Sequence, residues 1–257
     1  MKNTFLEKVK QGNKTLGTFH ELGSATAVEV LGYAGLDYVI IDTEHGPFDV
    51  ESTQTYIRAA KGANITPFVR VKDANRNSIL KMLDVGAMGL IIPNIHSVEE
   101  VHEVVKYGKY FPLGERGVAP TSGSSYWFAD YAKQGLDHYF EVSNRESLII
   151  PQCETVGCLN NIEEIVNIEG VDGIFVGPYD LSTSMGKPGQ FDDQEVIDAI
   201  QKVADVCKAA GKFTIIYGGS EAAIKNNYAI GYDSVTFGMD AIILGNAVKA
   251  VVENAKG

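Results

Sequence analysis

The stretch Ser147-Leu148-Ile149-Ile150-Pro151-Gln152-Cys153-Glu154 is a short apolar run that stops abruptly and delivers a carboxylate. Gly173-Ile174-Phe175-Val176-Gly177-Pro178-Tyr179-Asp180 repeats the arrangement, with Asp180 following a Gly-Pro turn. A strand buried on both faces reads as an unalternating apolar run. In an α/β barrel, whatever follows the end of such a strand lies on the face where ligands bind. Glu154 and Asp180 are therefore candidates to share a divalent metal, since two carboxylates with open positions for water and substrate oxygens suit Mg²⁺ or Mn²⁺. The alternative is that each merely caps the helix that follows it.

Working outward, six further runs resemble these two: Leu16–Phe19, Tyr38–Asp42, Thr66–Val71, Gly89–Pro93, Phe213–Tyr217 and Ser234–Phe237. Helical patterns alternate with them, over Ala25–Tyr33, Val50–Lys61, Arg76–Asp84, Val98–Tyr107, Ile162–Asn167, Asp193–Ala210, Glu221–Asn227 and Asp240–Asn254. Eight strand–helix pairs with short links predict an α/β fold, a (β/α)₈ TIM barrel forming one domain over residues 1–257. Glycines at 35, 62, 86, 170, 211 and 231, each between a helix and the next strand, fit the left-handed helix C-cap. An open dinucleotide-binding sheet is disfavoured, because no Gly-x-Gly-x-x-Gly follows the first strand.

One segment breaks the rhythm. Residues 108–147 are rich in Gly, Ser, Pro and aromatics, hold the only tryptophan, and lie before the fifth strand as a long insertion. A further helix is expected over Leu136–Asn144. Loops of this length are usually functional or part of an interface. An extension over the pocket, or toward a neighbouring subunit, is the expectation; a surface insertion is the alternative.

Composition narrows the function classes. A net charge of −11 argues against nucleic acid and anionic membranes as partners. No apolar run approaches the length of a membrane span, and the N-terminus lacks the apolar core of a signal peptide. Three cysteines, Cys153, Cys158 and Cys207, form no disulfide or zinc pattern, so a reducing cytoplasm is expected.

The other strand ends are also polar. His20-Glu21 follows the first strand, and Asp42-Thr43-Glu44-His45 the second. Arg70 lies within an apolar strand, where its planar fork suits a carboxylate or an enolate oxygen; a structural ion pair, for example with Glu44, is the alternative. His45 is the best-placed general base. Asp84 could orient it only if the fold brings the two together. His20 is a weaker candidate for the pocket, and His96, His102 and His138 read as surface residues. Lys72 is the only lysine close to a strand end, a weak candidate for a Schiff base. The Tyr217-Gly218-Gly219-Ser220 turn reads equally as a phosphate site or a helix cap.

The run from Gly35 to Pro47, Val69-Arg70-Val71, Pro112-Leu113-Gly114-Glu115-Arg116-Gly117, Gln152-Cys153-Glu154, and above all Gly170 to Ser182, resemble the HpcH/HpaI type of hydroxyketoacid aldolase. That family lies within the phosphoenolpyruvate/pyruvate barrel superfamily, and the resemblance spans essentially the whole chain. It implies a metal-dependent (class II) aldehyde-lyase that reversibly cleaves a 4-hydroxy-2-oxo acid to pyruvate and an aldehyde through a metal-stabilised pyruvate enolate. By matching positions, Glu154 and Asp180 hold the metal, and Arg70 binds the pyruvate carbonyl. The backbone N–H groups of Tyr179 and Asp180 receive the carboxylate. His45, supported by Asp84, is the acid–base group, acting through a metal-bound water; Gln152 belongs to the same cluster. Tyr179 departs from the family, where small residues are common. The resemblance also implies a homohexamer in which the apolar last helix packs on a neighbour's barrel. The runner-up is a citramalyl-CoA or malyl-CoA type lyase of the same superfamily, but the chain shows no evident basic cluster for CoA phosphates.

Overall fold

Eight parallel strands close on themselves in chain order to form a barrel in the computed structural model, which describes residues 2–256. They are β1 (Thr15–His20), β2 (Tyr38–Asp42), β3 (Thr66–Arg70), β4 (Gly89–Ile92), β5 (Leu148–Cys153), β6 (Gly173–Val176), β7 (Phe213–Gly218) and β8 (Ser234–Met239). All eight expected strands are present, each within two residues of its expected ends. The principal helices are α1 (Thr4–Lys10), α2 (Ala25–Tyr33), α3 (Val50–Gly62), α4 (Arg76–Asp84), α5 (Val98–Gly108) and α6 (Leu136–Glu146). They continue with α7 (Val156–Asn160), α8 (Ile162–Ile165), α9 (Pro178–Ser184), α10 (Gln194–Ala209), α11 (Glu221–Ala229) and α12 (Asp240–Lys256).

Strand alternation divides the core in two. Tyr38, Ile40, Phe68, Ile91, Leu148, Ile150, Phe175, Phe213 and Ile215 fill the barrel, while Val39, Ile41, Val69, Leu90, Ile149, Cys153 and Ile174 pack outward against the helices. Cys153 is thus in the barrel wall, as its place between Gln152 and Glu154 requires. In the interior, bulky rings lie where a neighbouring strand has glycine. A Cβ on Gly17 would lie 2.3 Å from the Tyr38 ring, and one on Gly173 would lie 2.4 Å from the Phe213 ring. The N-terminal end is plugged by α1, whose Phe5 is fully buried. Its ring meets those of Tyr38, Phe68 and Phe213 edge-on, with centroids 5.0–5.3 Å apart.

Five of the six expected glycine caps have positive φ: Gly35, Gly86, Gly170, Gly211 and Gly231. Gly62 does not; Asn64 takes the left-handed position in that link, with φ 59°. Asn is among the few residues with a side chain that occupies this region routinely.

Within one chain the insertion departs from the first of its two expected placements. Residues 108–147 do not extend over the cavity at the C-terminal ends of the strands, since none of them lines it. They run along α4, with Gly123 against the Leu83 and Asp84 carbonyls, and then form the short helical turn Ser122–Trp127 and α6. The carboxylate of Glu146, in the last turn of α6, accepts a hydrogen bond from the Asn3 N–H at 2.7 Å, which anchors the segment to the opposite end of the barrel. Among the described residues no helix is long and apolar enough to cross a membrane.

Candidate active site

The functional end of the barrel is built around a register pair. Asp42 and Arg70 are the last residues of β2 and β3 and lie opposite one another in the ladder. By alternation, both follow inward-facing neighbours: Asp42 follows Tyr38 and Ile40, and Arg70 follows Phe68. Arg70 donates from Nε to Asp42 Oδ1 at 2.9 Å and from Nη2 to Asp42 Oδ2 at 2.6 Å. This is a fork-on-carboxylate pair, the strongest geometry open to these groups. Asp42 is fully buried and Arg70 is 8 % exposed. The guanidinium lies over the Phe19 ring at 4.6 Å, and Glu44 Oε2 lies 3.3 Å from Nε. The ion pair with Glu44, raised as the alternative for Arg70, is therefore present but secondary; Asp42 is the main partner. Burial opposes ionisation of Asp42, but the hydrogen bonds and charge of Arg70 outweigh it and hold the carboxyl below its usual range.

A cavity of about 530 Å³ opens beside this pair, lined by Glu44, His45, Lys72, Asn94, Glu154 and Asp180 among others. It thus unites both proposed metal carboxylates with the proposed base. Glu154 accepts from the Asn94 N–H at 2.6 Å and from Gln152 Nε2. Asn94 can aim its N–H this way because its backbone is left-handed, with φ 56°. Burial pushes the Glu154 carboxyl up to about 7; the Asn94 N–H opposes the rise, and the negative charges of Asp180 and Glu44 add to it. Burial likewise raises Glu44, against the opposing charges of Arg70 and His45.

The capping alternative fails for both carboxylates. Thr155, not Glu154, caps α7, its hydroxyl accepting from the Cys158 N–H at 3.0 Å. Gly177 is the N-cap of α9, with Pro178 next, so Asp180 falls in the first helical turn. The residues fit a divalent cation in two ways. Glu44, Glu154 and Asp180 repel one another at the cavity, and Gln152 Oε1 is buried without a hydrogen-bond partner. No group of three or more His, Cys, Asp or Glu is arranged as a complete metal cage among the described residues. Two carboxylates would leave positions for water or substrate, as Mg²⁺ sites commonly do.

His45 lies on the loop after β2 with its side chain 67 % exposed, its Nε2 4.0 Å from Glu44 Oε2. Asp84 requires a correction, because the fold does not bring it to His45 within one chain. Helices of a βα barrel run back antiparallel to the strands, so the last turn of α4 lies at the opposite end from the loop after β2. There Asp84 pairs with Arg116, Nη2 to Oδ1 at 3.0 Å. Arg116 comes from the insertion and lies over the Tyr110 ring at 4.6 Å. His20 also stays out of the cavity: it is fully buried, with Nδ1 2.6 Å from Asp240 Oδ2 and its ring packed between Phe48 and Tyr56. His96 is exposed, as expected, yet it lines the cavity and its Nε2 lies 3.0 Å from Asn94 Oδ1. Lys72 lines the cavity but is exposed, which removes the desolvation that a Schiff-base lysine needs. Ser220 caps α11 through the Ala223 N–H at 3.1 Å, so the Gly-Gly-Ser turn is accounted for locally.

Comparison with known proteins agrees with this geometry. Residues 15–247 match the sequence model of the family described as HpcH/HpaI aldolase/citrate lyase. A hydroxypyruvate/pyruvate aldolase of Roseobacter denitrificans is 31 % identical over 99 % of this chain and 97 % of its own length. A 4-hydroxy-2-oxo-heptane-1,7-dioate aldolase of Salmonella typhimurium is 32 % identical over 98 % of this chain and 94 % of its own. Among solved structures, an HpcH/HpaI aldolase from Desulfitobacterium hafniense superposes with a TM-score of 0.90 at 28 % identity, covering 98 % of this chain and 96 % of that one. The barrel, the strand-end carboxylates and these matches over nearly the whole chain place it in the HpcH/HpaI aldolase/citrate lyase family.

Proposed function

We propose that the cavity beside Arg70 binds pyruvate as its enolate and joins it to, or releases it from, an aldehyde. The chain is a carbon–carbon lyase that interconverts a 4-hydroxy-2-oxo acid with pyruvate and an aldehyde. The observation that carries the reading is the meeting, at one barrel end, of the Glu154/Asp180 pair with a guanidinium locked in place by Asp42.

Glu154 and Asp180 would hold Mg²⁺ or Mn²⁺, which when bound supplies Lewis acidity to the oxygens of the oxo acid. Gln152 positions Glu154. Asp42 takes two donors of Arg70, which leaves Nη1 for the 2-oxo oxygen. The backbone N–H groups of Tyr179 and Asp180 lie in the first turn of α9, where helical donors lack intrahelical acceptors, and they receive the substrate carboxylate. In the cleavage direction His45 takes the proton of the 4-hydroxyl. The O–H pair forms the aldehyde C=O, the C3–C4 pair becomes the C2=C3 double bond of the enolate, and the carbonyl π pair goes to the 2-oxo oxygen, whose negative charge is met by Arg70. The aldehyde departs, and the enolate carbon takes a proton to give pyruvate. Arg70 costs no reorganisation at that moment, because Asp42 and Phe19 already fix its plane.

Assembly belongs to the same reading. In α12 only Asp240 is buried, and Ile242, Leu244, Val248, Val251 and Val252 are exposed. A helix this apolar does not stay in water when a partner surface is present. It packs on a second copy, in a homo-oligomer proposed to be a hexamer. The exposed Phe111, Tyr126, Trp127 and Phe128 of the insertion offer further contact area. The three buried free cysteines suit a reducing cytoplasm.

The test is incubation with pyruvate and a panel of aldehydes, with Mg²⁺ or Mn²⁺ and then after EDTA. Condensation that stops on metal removal, and is lost in Arg70→Ala with the fold intact, supports the reading. Condensation that survives thorough chelation, or borohydride trapping of pyruvate on Lys72, refutes it.

A further inference from the structure

Tyr179 stands between two cavities. Its neighbour Asp180 lines the cavity that contains Glu154, whereas Tyr179 itself lines a second cavity of about 770 Å³ at β7, α10 and α11. Volumes of this order accommodate a small organic molecule with room to spare. Tyr179 is 56 % exposed, although two other rings hold its ring edge-on: Phe191 at 4.8 Å and Tyr217 at 5.9 Å. Tyr217 in turn meets Phe19 at 6.4 Å, and Phe19 carries the Arg70 guanidinium on its face at 4.6 Å. A continuous run of aromatic rings therefore leads from the donor for the enolate to the second cavity.

We propose that Tyr179, backed by Tyr217 and Phe191, is the specificity-determining wall for the aldehyde, and that it directs into this cavity an uncharged aldehyde with an apolar or aromatic body. The inference rests on the aldolase reading and names the substrate class for it. Charge is the discriminating feature. Among the described residues the second cavity is lined by no Lys, Arg or His, and its one charged side chain is Asp192. An aldehyde bearing a carboxylate would enter without a counter-ion and beside a like charge, and burying a charge unpaired is costly. Ile197, Ile200 and Ile230 give the second cavity apolar lining, beside the uncharged Gln201, Asn226 and Asn227. His45, Lys72 and His96 all line the other cavity. Aromatic edges contribute dispersion and quadrupole contacts to an apolar body, which a carboxylate cannot use.

The experiment uses full-length protein with Mn²⁺ and compares kcat/KM for condensation of pyruvate with hexanal or benzaldehyde against succinic semialdehyde. Taking the ratio on one variant at a time cancels any shared effect on the pyruvate half of the reaction. The expected ratio is about tenfold or more in favour of the uncharged aldehydes. Tyr179→Ala and, independently, Phe191→Ala should lower it at least about threefold, through KM for the uncharged aldehyde. Tyr179→Phe, which keeps the ring, should restore it. A wild-type ratio at or below unity, or a ratio unmoved by both alanine variants, overturns the proposal. Deuterium exchange into the pyruvate methyl group separates the two levels. Exchange without aldehyde discrimination defeats this inference alone, while no exchange in wild-type protein defeats the aldolase reading and this inference with it.

Discussion

Replacing Asp42 by Asn removes one charge and sets an amide NH2 where Oδ2 now accepts from Arg70 Nη2 at 2.6 Å. The amide is close in size to the carboxyl, and its oxygen can still accept from the Glu44 and His45 N–H groups, which approach Asp42 Oδ1 at 3.1 and 3.4 Å. What it cannot do is balance Arg70, which accepts no proton loss and is buried. Breaking a buried pair by removing one partner costs ~3–5 kcal/mol. Glu44, 3.3 Å from Nε, covers part of the lost charge, so the expected destabilisation is ~2–4 kcal/mol. Urea unfolding with and without an Arg70→Met background gives the coupling in a double-mutant cycle. Turnover should fall as well, because the guanidinium loses the carboxylate that fixes its plane. The pair also has a pH signature. A carboxyl held below its unfolded value contributes stability that is present above ~4 and lost as pH falls through the folded value. Wild-type stability should therefore drop more steeply under acid than that of Asp42→Asn. A destabilisation or coupling energy under ~0.5 kcal/mol would refute the reasoning, since values that small belong to solvated surface pairs.

Three other outcomes follow from the structure. Phe5→Ala should cost ~3–4 kcal/mol by opening the plugged end of the barrel, yet leave kcat/KM within about twofold because the cavity is at the other end. Glu154→Gln should weaken Mn²⁺ binding at least ~100-fold in calorimetry while the melting temperature of the metal-free protein holds or rises. In the wild type, affinity should decline as pH falls below about 7, where Glu154 keeps its proton and cannot serve as ligand. Val248→Asp combined with Val251→Asp should shift the sedimentation coefficient to a smaller species, and a wild-type monomer would overturn the assembly proposal.

The barrel was legible because each strand is buried on both faces, which turns it into an unbroken apolar run with sharp ends. The helices that escaped were α1, α7 and α9, of seven, five and seven residues, too short to show a helical period. Glu154 and Asp180 were legible for the same reason as the strands: they are what comes next. Asp42 was visible in a polar cluster, but its role required the register that sets it opposite Arg70. Counting inward positions from the two strand ends is a signal that could have found it. The part of Asn94 depends on a backbone N–H aimed by a left-handed residue, and no side-chain pattern announces that. Asp84 could not be placed from spacing, because position along a helix decides which barrel end a residue reaches, and within one chain the last turn of α4 ends away from His45.

The charge at the site predicts an order of ligand binding. Pyruvate is an anion approaching a chain of net charge −11, and the cavity walls carry Glu44, Glu154 and Asp180. Arg70 does not offset them freely, because Asp42 already neutralises it. Burial raises both Glu44 and Glu154, and the carboxylates around each add to the rise. A second anion therefore enters only after a divalent cation has reversed the local sign. Titrating pyruvate into metal-free protein should give no measurable heat at millimolar concentration. The same titration after Mn²⁺ should bind, and 1:1 occupancy of the metal should precede any response to pyruvate. Equal pyruvate affinity in EDTA and in Mn²⁺ would mean that Arg70 and the α9 amides suffice alone, and the carboxylate pair would lose its place in substrate binding.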